Sequence, residues 1–296
     1  MSSPGQIITR QGDRLIVATS LSNTHPNTVR CAQRKKLPPL AIGDWVTWEP
    51  TGDNEGVITT LEERKSLLAR PDPFNQRKKP IAANVEQIVI VTAPEPGVDL
   101  LQIDQIMVAA EATSIASIIV INKSDLLTAE SRDKMDEKLH HYRNLDTQIL
   151  WTSTKTSNGI EPLQQQLTDK SSVLVGPSGA GKSSIIKQLL PDHEIAIGAL
   201  SAGISKGKHT TSVSTLYQLN GGGSLIDSPG IREFGIWDLD EETIRNGFRE
   251  FDEYAGRCRF SNCRHLNEPG CAISEAVTAG ELSAGRVENY RQLISK

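Results

Sequence analysis

Residues 172–184 read SVLVGPSGAGKSS, in which an apolar β-type run passes into a glycine-rich turn, and the helical stretch IIKQLL follows directly. A strand, a loop and a helix in this order form the setting of a phosphate-binding loop. Backbone N–H groups of such a loop can point inward at phosphate oxygens, and chance alone is the weaker explanation because motif and context agree. The residues expected there are Gly176, Pro177, Ser178, Gly179, Ala180, Gly181, Lys182, Ser183 and Ser184.

The chemistry of this loop depends on a lysine and a serine, and on a second motif further along the chain. Lys182 would reach the β- and γ-phosphates and stabilise charge on the transferring phosphoryl group, and Ser183 would hold Mg²⁺. DSPG at 227–230 would supply the Asp227 carboxylate near the same ion and the Gly230 N–H for the γ-phosphate. We therefore expect a magnesium-dependent nucleotide site.

Between these two motifs lies GKHTT at 207–211. Either Thr210 or Thr211 could add a second hydroxyl to the magnesium shell and so close a loop only when a γ-phosphate is present, although a plain surface loop is the alternative. The magnesium ligands expected from sequence are Ser183, Thr210 and Asp227.

Apolar β-rich runs alternate with helical segments on both sides of the phosphate loop. The runs are EQIVIVTA at 86–93, SIIVINK at 117–123, TQILWTS at 147–153, SVLVG at 172–176 and SLIDSPG at 224–230. Met135, Leu139 and Tyr142 share one face of a helix between two of them. This alternation predicts an α/β domain with a mainly parallel sheet.

NKSD at 122–125 follows the run SIIVI, at the carboxyl end of the sheet, where nucleotide sites form in α/β folds. Asp125 can accept hydrogen bonds from N1–H and the 2-amino group of guanine, whereas adenine offers neither, which disfavours an ATPase. Asn122 would support the pocket and Lys123 would lie along the base. The alternative is that Ser124 or Asp125 only caps a following helix.

The order of these motifs is unusual. TSTK at 152–155 offers a second loop beside the base, with Ser153, Thr154 and Lys155, and both base-side motifs precede the phosphate loop. In most GTPases the phosphate loop comes first, so the order indicates a circular permutation. The same strands can still form the same sheet, provided that flanking domains hold the ends.

Three of the four cysteines fall within fourteen residues, in the pattern C-x4-C-x-H-x5-C. Cys258, Cys263, His265 and Cys271 have the number and softness of ligands that a closed, structural, tetrahedral zinc site requires. Reduced structural cysteines beside a surface histidine are the alternative. Cys31 has no such neighbours and is expected to be a bystander thiol.

The first 70 residues differ from the rest, because short β-type runs alternate with turns as in a small barrel. Residues 1–80 contain 12 Lys and Arg against 8 Asp and Glu, with basic stretches at 34–36 and 77–79. This small excess fits a polyanion partner and an ordinary solvated surface about equally well. The prolines of 70–80 indicate a linker. No apolar run approaches ~20 residues and the start lacks a signal-peptide core, so we expect a cytoplasmic protein without a membrane partner.

Taken in order, GDWV, ANVEQIVIV, NKSDL, GPSGAGKSS, GKHTT, DSPGIREFG and the Cys/His cluster resemble the circularly permuted family called ribosome small-subunit-dependent GTPase A. The resemblance implies an all-β OB-fold over 1–75, a permuted α/β P-loop GTPase domain over 76–240 and a mainly helical zinc-binding domain over 241–296. Two positions depart from the family: Thr154 lies where alanine is usual, and Glu86 where aspartate is frequent.

The resemblance also implies a role in late maturation of the small ribosomal subunit, with GTP hydrolysis stimulated by that subunit. The expected cofactors are GTP or GDP, Mg²⁺ and one structural Zn²⁺, and the expected partners are the subunit and its rRNA, contacted by a monomer. An RNA-binding scaffold with a structural, slowly turned-over guanine nucleotide is the competing hypothesis. The complete magnesium set favours the enzyme.

Slow intrinsic hydrolysis is expected because apolar Ile231 follows DSPG, where many GTPases carry a water-orienting glutamine. His209 is the best local candidate to orient or deprotonate water, although a surface histidine without a role is the alternative. We expect His209→Ala to lower the subunit-stimulated single-turnover rate by about 10²-fold, the scale of general-base catalysis. An unchanged rate would exclude this role.

Overall fold

The computed structural model describes residues 2–11, 13–20, 27–71, 78–191, 214–228 and 239–295. In this part of the chain a closed β-barrel is followed by a two-stranded ribbon, an α/β sheet and a group of C-terminal helices. None of the described helices combines the length and hydropathy that crossing a bilayer needs.

The N-terminal barrel has five strands. They are Ser3–Gln11 (β1), Arg14–Ala18 (β2), Thr28–Gln33 (β3), Trp45–Gly52 (β4) and Glu55–Leu61 (β5). Their order is β1-β2-β3-β5-β4, and β4 pairs back with β1 to close the barrel, which confirms the expected OB-type architecture. Cys31 is fully buried inside, and burial raises the pKa of its thiol to about 11.

The GDWV turn fixes the base of the barrel. Asp44 is fully buried, and its carboxylate accepts hydrogen bonds from the Ala41 N–H at 2.7 Å and from Arg64 Nε and Nη2 at 2.7 and 2.8 Å. Gly43 has a φ of +91°, and a Cβ there would lie 2.3 Å from the Ala83 carbonyl oxygen. Glycine is therefore required where the barrel meets the chain that leaves it.

Both ends of the expected linker at 70–80 lie in strands, and its residues 72–77 lie outside the described part of the chain. Leu67–Pro71 (β6) and Lys78–Ala83 (β7) form an antiparallel ribbon. Pro80 opposes Ala69 next to a register shift, and an isolated ribbon of two strands can accommodate proline at such a bulge. Pro71 and Pro80 therefore lie in an irregular ribbon, and the linker expected between them stays a prediction.

Six of the described strands form the central sheet. They are Gln87–Thr92 (β8), Ala116–Ile121 (β9), Ile149–Trp151 (β10), Ser171–Val175 (β11), Thr215–Gln218 (β12) and Ser224–Asp227 (β13). The order β10-β9-β8-β11-β13 is parallel, and β12 lies antiparallel beside β13. The prediction of a mainly parallel sheet is confirmed. β12 also pairs with β1, with Thr9 opposite Thr215, so the sheet continues into the barrel.

Helices cover both faces of this sheet. They are Leu100–Glu111 (α1), Ala129–Arg143 (α2), Glu161–Leu167 (α3) and Lys182–Leu189 (α4). Along β8, Ile88 and Ile90 belong to the core that contains α1 and α2, whereas Val89 and Val91 belong to the core that contains α3 and α4. Burial on both faces explains why this strand reads as an uninterrupted apolar run.

The C-terminal region is helical, as expected. It contains Glu241–Gly247 (α5), a 3₁₀ helix at Arg249–Tyr254, Ala272–Ala279 (α6) and Ala284–Ile294 (α7). Its core is aromatic, with the Phe248 and Phe251 rings at 5.2 and 4.9 Å from the Tyr290 ring in edge-to-face arrangements.

A buried ionic network joins these helices to the α/β sheet. Arg286 on α7 is 3% exposed and donates to Asp104 on α1 at 2.7 Å and to Glu250 at 2.7 and 3.0 Å. Tyr142 and Asn289 donate to the same Asp104 carboxylate, each at 2.6 Å. Burial alone would lower the pKa of Arg286, but the two carboxylates outweigh it and raise the pKa, so the guanidinium stays charged.

Removing the cation from this network should be costly. We expect Arg286→Met to lower the free energy of unfolding by about 3 to 5 kcal/mol, because two carboxylates would stay buried without their partner. Arg143→Met is the control, since Arg143 pairs with Asp136 at the surface and should cost less than about 1 kcal/mol. Chemical denaturation measures both, and equal losses would contradict the prediction.

Candidate functional site

The glycine-rich loop turns tightly between β11 and α4 because two glycines allow it. Gly176 has a φ of +132°, and a Cβ there would lie 2.0 Å from the Val91 carbonyl oxygen on the neighbouring strand. Gly181 precedes α4 with a φ of +93°, and its Cβ would lie 2.2 Å from Asn122 Nδ2. Side chains are excluded at both positions, and the loop N–H groups lie at the positive end of α4.

Lys182 begins α4 and is folded against its own loop. Its Nζ donates to the Gly176 carbonyl at 2.6 Å and to the Pro177 carbonyl at 2.7 Å, and the side chain is buried. Ser178, Gly179, Ser183 and Ser184 are exposed around it. The loop therefore places a fixed ammonium group and solvent-exposed serine side chains at the carboxyl edge of the sheet.

Asn122 joins the base-side loops to this phosphate loop. The residue is 1% exposed, its Nδ2 donates to the Ala180 carbonyl at 2.9 Å, and its Oδ1 accepts from Thr152 Oγ1 at 3.2 Å. Thr152 was not among the predicted site residues, although it begins the TSTK motif at the end of β10. Three loops are thus held together by one buried amide.

Asp125 is held by the second base-side loop. Its Oδ1 accepts a 2.6 Å hydrogen bond from Ser153 Oγ, which itself accepts from the Lys155 N–H, and the Lys155 ammonium lies 4.0 Å from Oδ2. The Ser153 hydrogen bond and the charges of Lys155 and Lys123 hold the pKa of Asp125 below its usual value, against a smaller effect of burial. Asp125 is therefore an ionised acceptor at neutral pH.

The three other predicted residues of these loops take supporting positions. Lys123 has a φ of +56° and donates through Nζ to the Glu95 carbonyl at 3.0 Å. The Ser124 N–H donates to the Thr152 carbonyl at 3.0 Å, and Thr154, within the TSTK loop, is partly exposed. The helix-cap alternative for NKSD is wrong, because Thr128 caps α2 by accepting from the Ser131 N–H.

The structure brings one further predicted residue to this edge. Asp227 ends β13, which lies beside β11, and its side chain is 7% exposed. His209, Thr210, Thr211 and Gly230 lie outside the described residues.

Cys258, Cys263, His265 and Cys271 converge as predicted, with all four ligand atoms within 4.8 Å of one another. His265 Nδ1 is 3.6, 3.6 and 3.4 Å from the three sulfurs. Tetrahedral zinc with ordinary bond lengths would separate nitrogen from sulfur by about 3.6 Å. Burial lowers the pKa of His265, which keeps the imidazole neutral, as a metal ligand must be. The donor set therefore fits Zn²⁺.

Fold and site together define a class: a P-loop GTPase in which the base-side loops precede the phosphate loop, as a circular permutation requires. The chain belongs to the RsgA GTPase family, whose model matches residues 61–237. Membership of this family favours the enzyme over the scaffold hypothesis.

Relatives with similar sequences match this chain along most of its length. "Small ribosomal subunit biogenesis GTPase RsgA" of Hahella chejuensis is 44% identical over 98% of this chain and 83% of its own length. The protein of the same name from Chromohalobacter salexigens is 47% identical over 90% of this chain and 77% of its own.

Two crystal structures resemble the whole molecule. YjeQ from Thermotoga maritima has a TM-score of 0.78 and 30% identity, and the alignment covers 100% of this chain and 98% of that one. YloQ, described as a circularly permuted GTPase, has a TM-score of 0.76 and 28% identity, with coverages of 100% and 94%. The likeness extends from the barrel to the C-terminal helices.

The Gly181–Asn122 contact predicts a difference between two glycines of one loop. Gly181→Ala should lower the free energy of unfolding of the nucleotide-free protein by about 2 to 4 kcal/mol, because it adds a positive-φ alanine and also displaces the Asn122 amide. Gly179→Ala has the same backbone cost of about 1 kcal/mol, but its Cβ would meet nothing closer than 3.6 Å. Urea denaturation measures both variants, and similar losses would show that Asn122 yields easily.

Proposed function

We propose that this GTPase acts in biogenesis of the small ribosomal subunit, with the nucleotide held between the phosphate loop and the NKSD and TSTK loops. The observation that carries the nucleotide assignment is the ionised Asp125 carboxylate, oriented by Ser153 and tied through Asn122 to the phosphate loop. The subunit assignment is supported by the names of relatives that are more than 40% identical.

In this proposal, guanine is read by charge-assisted hydrogen bonds. The Asp125 carboxylate accepts from N1–H and the 2-amino group, while Lys123 and the loop of Ser153, Thr154 and Lys155 flank the base. Ser124 supports the turn between them. A purine without these two donors would leave a carboxylate unpaired, which is costly.

The residues around the phosphates have complementary tasks. Loop N–H groups from Gly176 to Ser184 cradle the phosphate oxygens, and Lys182 exchanges its loop carbonyls for the β- and γ-phosphates. Ser183, Asp227 and Thr210, or Thr211 in its place, would hold Mg²⁺, which supplies positive charge to the phosphoryl oxygens. Oxygen ligands from a hydroxyl and a buried carboxylate at one sheet edge suit this ion. Gly230 would donate to the γ-phosphate, and His209 would orient the attacking water.

Zinc would have a structural task in the C-terminal region. Cys258, Cys263, His265 and Cys271 would bind one Zn²⁺ and leave no position open for a substrate. The loop that contains these ligands packs on the aromatic core, with His265 edge-on to Phe251 at 5.9 Å. The ion would therefore stabilise the helices that dock on α1.

The barrel is the proposed contact for rRNA in the cytoplasm, where the protein would act as a monomer. Arg34, Lys35 and Lys36 are exposed on the connection after β3, Lys79 is exposed on the ribbon, and Trp45 is 41% exposed on β4. Exposed cations and an exposed aromatic ring are groups that suit RNA phosphates and unpaired bases. GTP would favour the bound state and hydrolysis would favour release.

Measuring GTP turnover at increasing concentrations of purified small ribosomal subunits tests three claims together. They are that the nucleotide is GTP, that the partner is this subunit, and that the subunit stimulates hydrolysis. We expect slow turnover alone and a rise of at least tenfold at saturating subunits. Asp125→Asn should lower GTP turnover by about 10³-fold or more and transfer activity to xanthosine triphosphate, whose 2-oxo group accepts from the new amide.

Ser124→Ala and ATP serve as controls for that titration. Ser124→Ala leaves Asp125 and Ser153 intact and should keep the preference for GTP. Turnover that subunits do not change would refute the proposed partner, and equal competition by ATP would refute the guanine site.

Metal analysis tests the zinc proposal. The purified chain should contain one Zn²⁺, Cys271→Ser should lose most of it, and the melting temperature of the C-terminal region should fall because binding energy contributes to folding. Cys31→Ser should keep the metal, since Cys31 is buried in the barrel. Equal zinc in both variants would disprove the assignment.

A further inference from the structure

The barrel and the nucleotide site meet along one row of residues. Thr9 on β1 is paired with Thr215 on β12, and Thr215 is paired with Asp227 on β13. A barrel side chain therefore lies two strands from the carboxylate proposed to hold Mg²⁺. Thr9 is 3% exposed, Thr215 is 9% exposed and Asp227 is 7% exposed, so the row is largely sealed from water.

Hydroxyl groups connect this row. Thr9 Oγ1 donates to the Ser214 carbonyl at 2.9 Å and lies 3.1 Å from Thr215 Oγ1. Either of these two hydroxyls could be the donor in their mutual contact. Ser214 Oγ in turn shares a 2.5 Å hydrogen bond with Ser228 Oγ, directly after Asp227. The barrel thus contacts Ser214 and Thr215 directly, and Ser214 in turn contacts Ser228, the residue after Asp227.

A bulge in β1 accompanies this contact. The pairing of β1 with β2 shifts register between Ile7 and Thr9, and such bulges re-aim side chains. Valine would fit the strand equally well by size and β-propensity, but it would leave the Ser214 carbonyl without its donor. The hydroxyl, and not the shape of the side chain, distinguishes threonine here.

We propose that Thr9 of the barrel is a positioning residue for the Mg²⁺-binding carboxylate Asp227, acting through Thr215 and through the Ser214–Ser228 hydroxyl pair. The inference rests on the proposed nucleotide site. Its consequence is that the barrel does more than contact RNA, because it fixes the geometry of a magnesium ligand two strands away.

Nucleotide binding in Mg²⁺ and in EDTA tests this role without measuring hydrolysis. The affinity of the full chain for a fluorescent, non-hydrolysable GTP analogue is measured in both conditions, and the ratio of the two affinities is compared. Thr9→Val should lower that ratio about fivefold, the effect of one buried hydrogen bond, with the affinity in EDTA unchanged. Thr9→Ser keeps the hydroxyl and should restore the ratio to within about twofold of wild type.

Thr47→Val is the matched control. Thr47 lies on β4, which pairs with β1 inside the barrel, and its hydroxyl donates to Glu62, away from the central sheet. This variant should keep the wild-type ratio. Ser228→Ala removes the same connection from the sheet side and should lower the ratio as Thr9→Val does, even if Thr9→Val fails to fold.

Each other outcome is decisive. An unchanged ratio in Thr9→Val or in Ser228→Ala would overturn the inference, as would a Thr9→Ser variant as impaired as Thr9→Val, because packing would then be the cause. A wild-type chain that binds no guanine nucleotide would overturn the proposed function together with this inference. Wild-type binding without the Thr9 effect would overturn the inference alone.

Discussion

β8 begins the nucleotide-binding unit in the middle of the sheet, between β9 and β11, and all six of its residues are buried. A first strand at the edge of a sheet could detach without disturbing the other strands, but a first strand in the centre could not. The chain before β8 must therefore be held by residues outside the sheet. The β6–β7 ribbon and the barrel precede β8 and supply that support. The Gly43 turn shows how close the contact is, since the barrel lies against the Ala83 carbonyl at the end of β7.

The trailing end has a different anchor. The C-terminal helices dock on α1 through Arg286, which is paired with Asp104 and Glu250 and covered by the Phe248 ring at 4.5 Å. A buried ionic network of this kind adds little net stability, because desolvation offsets its attraction, but it penalises any other arrangement of the same helices. The start of the permuted domain is therefore held by hydrogen-bonded strands, and its end is held by paired charges.

Most of the local structure could be predicted from sequence, and the contacts between distant segments could not. The apolar run of β8 and the glycine spacing around Lys182 are local signals, so strand and loop were both predictable. Asp104 lies on a helix with no distinctive motif, and its partner Arg286 is 182 residues away. The hydroxyl row of Thr9 and Thr215 likewise spans 206 residues. Pro80 did not exclude a strand, because a bulged ribbon tolerates proline.

Lys182 has a consequence for the energetics of the site. Its ammonium group already donates to two loop carbonyls, so the loop is a competing ligand for its own cation. A phosphate placed as proposed would compete with these two carbonyls, so only the difference between the two sets of interactions would contribute to affinity. The buried charge already has oxygen acceptors from the protein itself, which lowers the cost of keeping a cation at this position.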